Sequence, residues 1–235
     1  MSTAKKPVTP HLTQFVDNLN EVGQLLEIHT KVAGAKPGRK YDVEVLNKSA
    51  VVLLVACWEA FVEDLAEAAL RALVDNAKGY EVLPDLVLDR VASKNSGRNA
   101  WALAGDGWKA AVRDNLKEVL AKTVGALNTP KTQQVDELFS KAIGLPEVSK
   151  HWHWNRRTVT EARDRLDALI TLRGSIAHRV KHSDSVHKRD VTDAADFIGR
   201  LAECTGNAVR QFVHERTGTY PWPHVKYEGR VESAP

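Results

Sequence analysis

Residues 50–74 read AVVLLVACWEAFVEDLAEAALRALV. Drawn on a helix, this run places apolar side chains on nearly every side, and it lacks the alternation of a half-buried strand. A helix that is apolar all round must be packed by neighbours all round. The run therefore predicts a central buried helix, from about Asp42 to Ala77, in an all-α fold. Its longest uninterrupted apolar piece, Ala50 to Trp58, is about half of the ~20 residues that a membrane span requires, so a core helix is expected and no membrane partner. Glu59, Glu63 and Asp64 interrupt the apolar surface. They read as polar partners for neighbouring helices, and Glu59 and Glu63 also as supporting residues of a site.

The flanking segments supply the helices that such a core needs. Upstream, Thr9-Pro10 has the form of an N-cap followed by proline at the first helical position. Leu12, Phe15, Val16, Leu19, Val22, Leu25, Leu26 and Ile28 follow at helical spacing, until GAKPGR (34–39) breaks the pattern. Downstream, a short helix is expected from Pro84 to Ala92, then a basic turn, SKNSGR (93–98). A helix from Asp106 or Gly107 to about Lys122 comes next, with Trp101 and Trp108 both packed on the core. Thr129-Pro130 repeats the capping signal ahead of Val135, Leu138, Phe139 and Ile143, and Gly144-Leu145-Pro146 ends that helix. Thr158 and Glu161 form a Thr-x-x-Glu capping box for a helix through Leu166, Leu169, Ile170 and Leu172. Asp190 is expected to cap a last long helix reaching Thr217. The parts are thus a flexible tail (1–9), one helical domain (10–218) and an extended C-terminal tail (219–235) that docks by Tyr220 and Trp222.

Composition agrees with a globular chain. Of 235 residues, 43% are hydrophobic and 27% charged, which sets it apart from disordered sequences. The two cysteines, Cys57 and Cys204, have no motif spacing. They suggest buried thiols in a reducing compartment rather than a disulfide scaffold. With no apolar leader in MSTAKKPVTPHLTQ, a cytoplasmic location is expected. Net charge is only +3, but its distribution is uneven: Lys150 to Asp190 carries ten Lys/Arg against five Asp/Glu, and five of the nine histidines. Such a concentration suits phosphate binding. A Gly-rich phosphate loop, a Gly-x-Ser-x-Gly elbow and paired zinc cysteines are all missing from the sequence. His178 and His182 stand at i,i+4 and His151 lies close to His153, but no carboxylate or cysteine joins them at metal-ligand spacing, so no metal or other cofactor is expected.

The segment most able to do chemistry is LRGSIAHRV (172–180). Arg173 offers a rigid fork for phosphate oxygens, and His178 can move protons near neutral pH. On a straight helix they stand about 140° apart; they would converge only if the helix ends or bends between them, which Gly174 makes easier. The pair suits cleavage of RNA by its own 2′-hydroxyl, with His178 as general acid or base and Arg173 stabilising charge on the phosphate. Arg179 and Lys181 would guide the RNA backbone, and Ser175 could donate to a phosphate. Trp152 and Trp154, followed by Arg156 and Arg157, could stack bases and hold phosphates, although core anchoring is the more economical reading of the two tryptophans.

The run TPKTQQVDELFSKAIGLPEVSKHWHW (129–154), then LDALITLRGSIAHRV (166–180) and a helix near VTDAADFI (191–198), resembles the RiboL-PSP type of HEPN domain. WEAFVEDL (58–65) fits that family's buried second helix, and the resemblance spans roughly residues 12 to 215. It implies a HEPN-like helical bundle with additional helices, dimerising through the motif-bearing helices so that two Arg-x-x-x-x-His motifs meet in one cleft. It further implies a metal-independent endoribonuclease, an effector in bacterial defence or a toxin–antitoxin system, with RNA as partner and room for an inhibitory protein. Many members carry Asn after the motif Arg, where this chain has Gly174. A non-catalytic HEPN module that binds RNA or a protein is therefore the alternative. Members silenced by a nucleotidyltransferase carry a Tyr soon after the motif His; here Arg179-Val180-Lys181 follows instead.

Overall fold

The computed structural model describes residues 9–33, 43–114, 116, 118, 120, 121, 127, 129–178 and 185–227. The α-helices are α1 (Pro10–Ala33), α2 (Glu44–Asn76), α3 (Asp85–Lys94), α4 (Gly107–Asp114), α5 (Thr132–Ile143), α6 (Val159–His178) and α7 (Lys188–Thr217). Among the described residues the only β feature is one isolated bridge, Trp154 with Arg157. The expected break at 34–39 and the expected helix start at Asp42 lie outside the described residues, as does Lys122.

α2 is the axis of the fold. It packs against α1, α4, α5, α6 and α7, and Leu54, Trp58, Leu65, Leu70 and Leu73 along it are fully buried. By length and composition α2 could cross a membrane, since its apolar character extends well beyond Ala50–Trp58. Half of its most apolar 18-residue stretch is buried inside the fold. Each such side chain contributes on the order of 1.5–3 kcal/mol on burial. α1 lies antiparallel beside α2, with Phe15, Leu19 and Val22 turned inward. At the centre Trp58 stacks near Phe61 and meets Trp152 edge-on, with ring centroids 5.9 and 6.1 Å apart. Both indoles are satisfied: Trp58 Nε1 donates to the Pro130 carbonyl (3.1 Å) and Trp152 Nε1 to Thr205 Oγ1 (2.9 Å). Trp152 is thus a core anchor, and Trp154 packs half-buried near Phe197.

Several expectations need correction. Thr129 does not cap α5. That helix begins at Thr132, whose N–H and hydroxyl both donate to Asp167 Oδ1 on α6 (2.8 and 2.9 Å). A carboxylate from a neighbouring helix therefore does the work assigned to a local cap. Asp190 is likewise not the N-cap of α7 but its third residue; its carboxylate accepts the His187 N–H (2.8 Å), and His187 is the capping position. Trp108 is buried, but Trp101 is 83% exposed. The capping box at α6 is present, with the Thr158 N–H donating to Glu161 Oε2 (2.8 Å) and the Glu161 N–H to Thr158 Oγ1 (3.3 Å).

After α7 the chain turns back along that helix. Tyr220 stacks on His214 with ring centroids 3.8 Å apart. Arg210 Nε donates to the Trp222 carbonyl (2.7 Å), and Asn207 exchanges two bonds with the Val225 backbone (2.8 and 2.9 Å). Trp222 is buried against the His11 ring at the start of α1, with centroids 4.9 Å apart.

Candidate active site

Arg173 and His178 both belong to α6, which continues without interruption through His178. The helix thus does not end between them at Gly174. Along an unbroken helix the two residues are separated by about 7.5 Å of rise and about 140° of rotation, so a single chain does not bring them to one point. Arg173 is half-buried, within electrostatic reach of Glu59 on α2, and its Nε is buried with no hydrogen-bond partner among the described residues. A buried donor left in that condition is costly and favours an acceptor brought to it. His178 is exposed in the last turn of α6.

α2 supplies the carboxylates of the neighbourhood. Glu59 and Glu63 are one helical turn apart. Burial pushes the Glu59 carboxyl above the usual carboxylate range, the charge of Glu63 adds to that, and Arg173 pulls it back down. Glu59 is therefore the supporting residue that the fold brings within electrostatic reach of the motif. Burial also raises Glu63, but the N–H of Leu127 donates to its carboxylate, and Asp64 raises it further. Glu63 thus has a structural bond of its own, as a polar partner for a neighbouring segment.

The other expected residues separate. Ser175 Oγ donates to the Leu172 carbonyl (2.8 Å), so its proton is committed within α6. Arg156 and Arg157 sit in the tight turn before α6, Arg156 with a φ of 63° and Arg157 paired through its backbone to Trp154. They are at the far end of a 20-residue helix from His178, a distance of about 30 Å. Neither shares the motif's immediate surroundings. Arg179, Lys181 and His182 lie outside the described residues.

Gly174 lies next to Arg173, and a Cβ built on it would meet nothing within 4 Å. Ala177, one turn on, is exposed, like His178. Among the described residues nothing packs on Gly174 at this side of α6, and its small residues leave room for another surface at close range. Sequence spacing identified Arg173 and His178 but could not show that Glu59 is the carboxylate within electrostatic reach of the arginine, because that depends on the register of α2 against α6.

No curated protein and no solved structure matches the chain. A family profile, RiboL-PSP-HEPN, matches residues 14–211, from within α1 to the last turns of α7, and so covers the core helix, the motif helix and the helices that pack on them. The chain belongs to the RiboL-PSP-HEPN family, whose members are HEPN-type helical domains.

Proposed function

We propose that the protein is a metal-independent endoribonuclease whose site is completed by two copies of the chain. The carrying observation is that Arg173 and His178 are both available yet turned apart on one continuous helix. A second α6 laid against the open side at Gly174 and Ala177 would set the histidine of one copy beside the arginine of the other. Membership of the HEPN-type family and the unpartnered Nε of Arg173 support the same reading.

The chemistry is phosphodiester transfer within the RNA. His178 takes the proton from the 2′-hydroxyl, the 2′-oxygen bonds to the adjacent phosphorus, and the bond from phosphorus to the 5′-oxygen breaks. A proton returned to that oxygen completes the step, leaving a 2′,3′-cyclic phosphate and a 5′-hydroxyl. Arg173 stabilises the charge that develops on the non-bridging oxygens. The nucleophile is part of the substrate, so the step requires no metal ion. A toxin or defence effector acting in the cytoplasm, held in check by a protein partner, is the biological setting that fits such an activity.

The test is cleavage of labelled RNA in EDTA by wild type, Arg173→Ala, His178→Ala and an equimolar mixture of the two variants. Wild type should produce cyclic-phosphate ends, and each variant should lose at least about a hundredfold in rate. The mixture should regain part of the activity, because a mixed pair carries one site with both residues intact. Equal cleavage by wild type and His178→Ala would sink the proposal. The second reading, a module that binds RNA or a protein without cutting, draws on Gly174, which withholds a polar group beside Arg173. RNA that binds uncut, or a protein partner bound with no RNA activity at all, would favour it.

A further inference from the structure

Trp101 departs furthest from what its chemistry predicts. Tryptophan is highly buried on average, yet Trp101 is 83% exposed. It stands in a 3-10 helix, Gly97–Leu103, between α3 and α4. Its exposure is built into a well-braced turn. The Asn99 N–H donates to the Ser96 carbonyl (3.3 Å), the Ala104 N–H to the Trp101 carbonyl (3.2 Å) and the Gly107 N–H to the Ala104 carbonyl (3.1 Å). Gly97 and Gly105 bound the turn with φ of 62° and 59°, the left-handed region that glycine enters without steric cost. A Cβ on Gly107 would stand 1.8 Å from the Ala102 carbonyl oxygen, so the turn closes tightly on α4. Leu103 packs against the core, and Trp108 is buried. Both flanks are thus anchored while the indole between them is held out in solvent.

The neighbours of that indole are chosen in kind. In a 3-10 helix, side chains three residues apart eclipse one another, which puts Arg98 on the same edge as Trp101. Arg98 is exposed, as are Asn99 and Ser96. Between Asp89 and Asp106 the chain carries three basic side chains, Arg90, Lys94 and Arg98, of which Lys94 is paired with Glu118. A flat aromatic face beside a guanidinium, among amides and hydroxyls, matches an unpaired base and its phosphate better than it matches an apolar protein surface.

We infer that the 97–103 turn is a second RNA-binding element, in which Trp101 stacks on an unpaired base and Arg98 contacts the adjoining phosphate. This rests on the endoribonuclease reading for its ligand and extends it to a substrate class: single-stranded RNA long enough to reach from the motif to the turn. α4 ties the turn to the end of α2, where Arg113 Nε donates to Asp75 Oδ1 (2.8 Å). Glu59, within electrostatic reach of Arg173, lies 16 residues before Asp75 on α2, a rise of about 24 Å along that helix. A dinucleotide held at the motif therefore does not reach the Asp75 end of α2.

The experiment compares wild type with Trp101→Ala, Trp101→Phe and Arg98→Ala, in the full chain, after melting curves show that the folds are equivalent. Binding of a labelled single-stranded oligoribonucleotide is measured in a His178→Ala background, and cleavage in the wild-type background. Trp101→Ala should weaken binding of a long oligoribonucleotide about tenfold or more, while Trp101→Phe stays near wild type. Trp101→Ala should cut a dinucleotide at the wild-type rate, and it should match the parent on an oligonucleotide with abasic sugars opposite the turn. Arg98→Ala should reduce the salt dependence of binding. Equal affinity of Trp101→Ala and parent for the long RNA overturns the inference while leaving the ribonuclease intact. Failure of the parent to bind or cut any RNA overturns both. A change in oligomeric state or protein capture with RNA affinity unaltered assigns the turn to a protein partner and overturns the inference.

Discussion

Glu59 on α2 and Arg173 on α6 are electrostatic neighbours: burial and Glu63 drive the Glu59 carboxyl upward, and the guanidinium holds it down. The fold thus brings a carboxyl of the core helix within electrostatic reach of the motif arginine. Removing the arginine should leave Glu59 with a higher pKa still. A raised carboxyl contributes stability below its ordinary pKa and loses it as pH rises through the folded value. Arg173→Ala should therefore lose stability more steeply than wild type as pH climbs from the acid side toward neutrality, and Glu59→Gln should remove that extra slope. The two substitutions should be non-additive by ~0.5 kcal/mol. Melting curves of the four variants between pH 4 and 8 measure this, and parallel profiles would refute the coupling.

Gly174 gives the clearest test of catalytic competence. A Cβ there meets nothing, and glycine inside a helix is about 0.5–1 kcal/mol less favourable than alanine. Gly174→Ala should raise stability by about that amount, read by urea denaturation. Gly174→Asn should also fold and, by restoring a polar group beside Arg173, should increase RNA cleavage about tenfold. An Asn variant that folds as a dimer and cuts no faster would show that the missing amide is not what limits this chain.

His11 sets an acid limit. Buried between Phe61 and Trp222, it has a pKa lowered by burial from 6.5 to about 4. Folding therefore favours the neutral ring. Its contribution is complete above pH 6.5 and is lost as pH falls toward 4, up to about 3 kcal/mol at 1.36 kcal/mol per pH unit. His11→Phe keeps a ring in the site and removes the titration. Its melting temperature should fall less than that of wild type between pH 7 and pH 4.5; superimposable pH dependence would rule His11 out.

Trp152 and Trp101 should behave as opposites under the same substitution. Trp152 is fully buried and donates to Thr205, so Trp152→Ala should cost about 3–5 kcal/mol. Thr205→Val, which leaves the indole N–H unpaired, should cost about 1–3 kcal/mol. Trp101→Ala should fall within about 0.5 kcal/mol of wild type. Chemical denaturation separates the three, and a large loss for Trp101→Ala would mean that the turn depends on its indole for folding.

What the sequence revealed follows from locality. The all-round apolar run identified α2, and Thr158-x-x-Glu161 identified the start of α6, because a helix and its cap are written in consecutive residues. Arg173 and His178 could be named for the same reason. Contacts between distant segments were less legible. Thr132 starts α5 because Asp167 reaches it from another helix, and Asn47 holds the backbone of Val186 (2.9 Å) from 139 residues away. Neither pairing leaves a periodic trace. Trp101 and Trp108 look alike in sequence, and only the packing of the turn at Gly105-Asp106-Gly107 decides which indole goes inside. The place of Glu59 beside Arg173 required the register between α2 and α6, which no spacing rule supplies.

The seat of Trp222 over His11 carries a consequence for biosynthesis. A chain emerging from the ribosome can wind α1 and α2 early, but the seam between them stays unroofed until residue 222 has left the exit tunnel. Sealing that seam therefore waits on a contact between residues 211 positions apart in the chain, the non-local kind of step that slows folding.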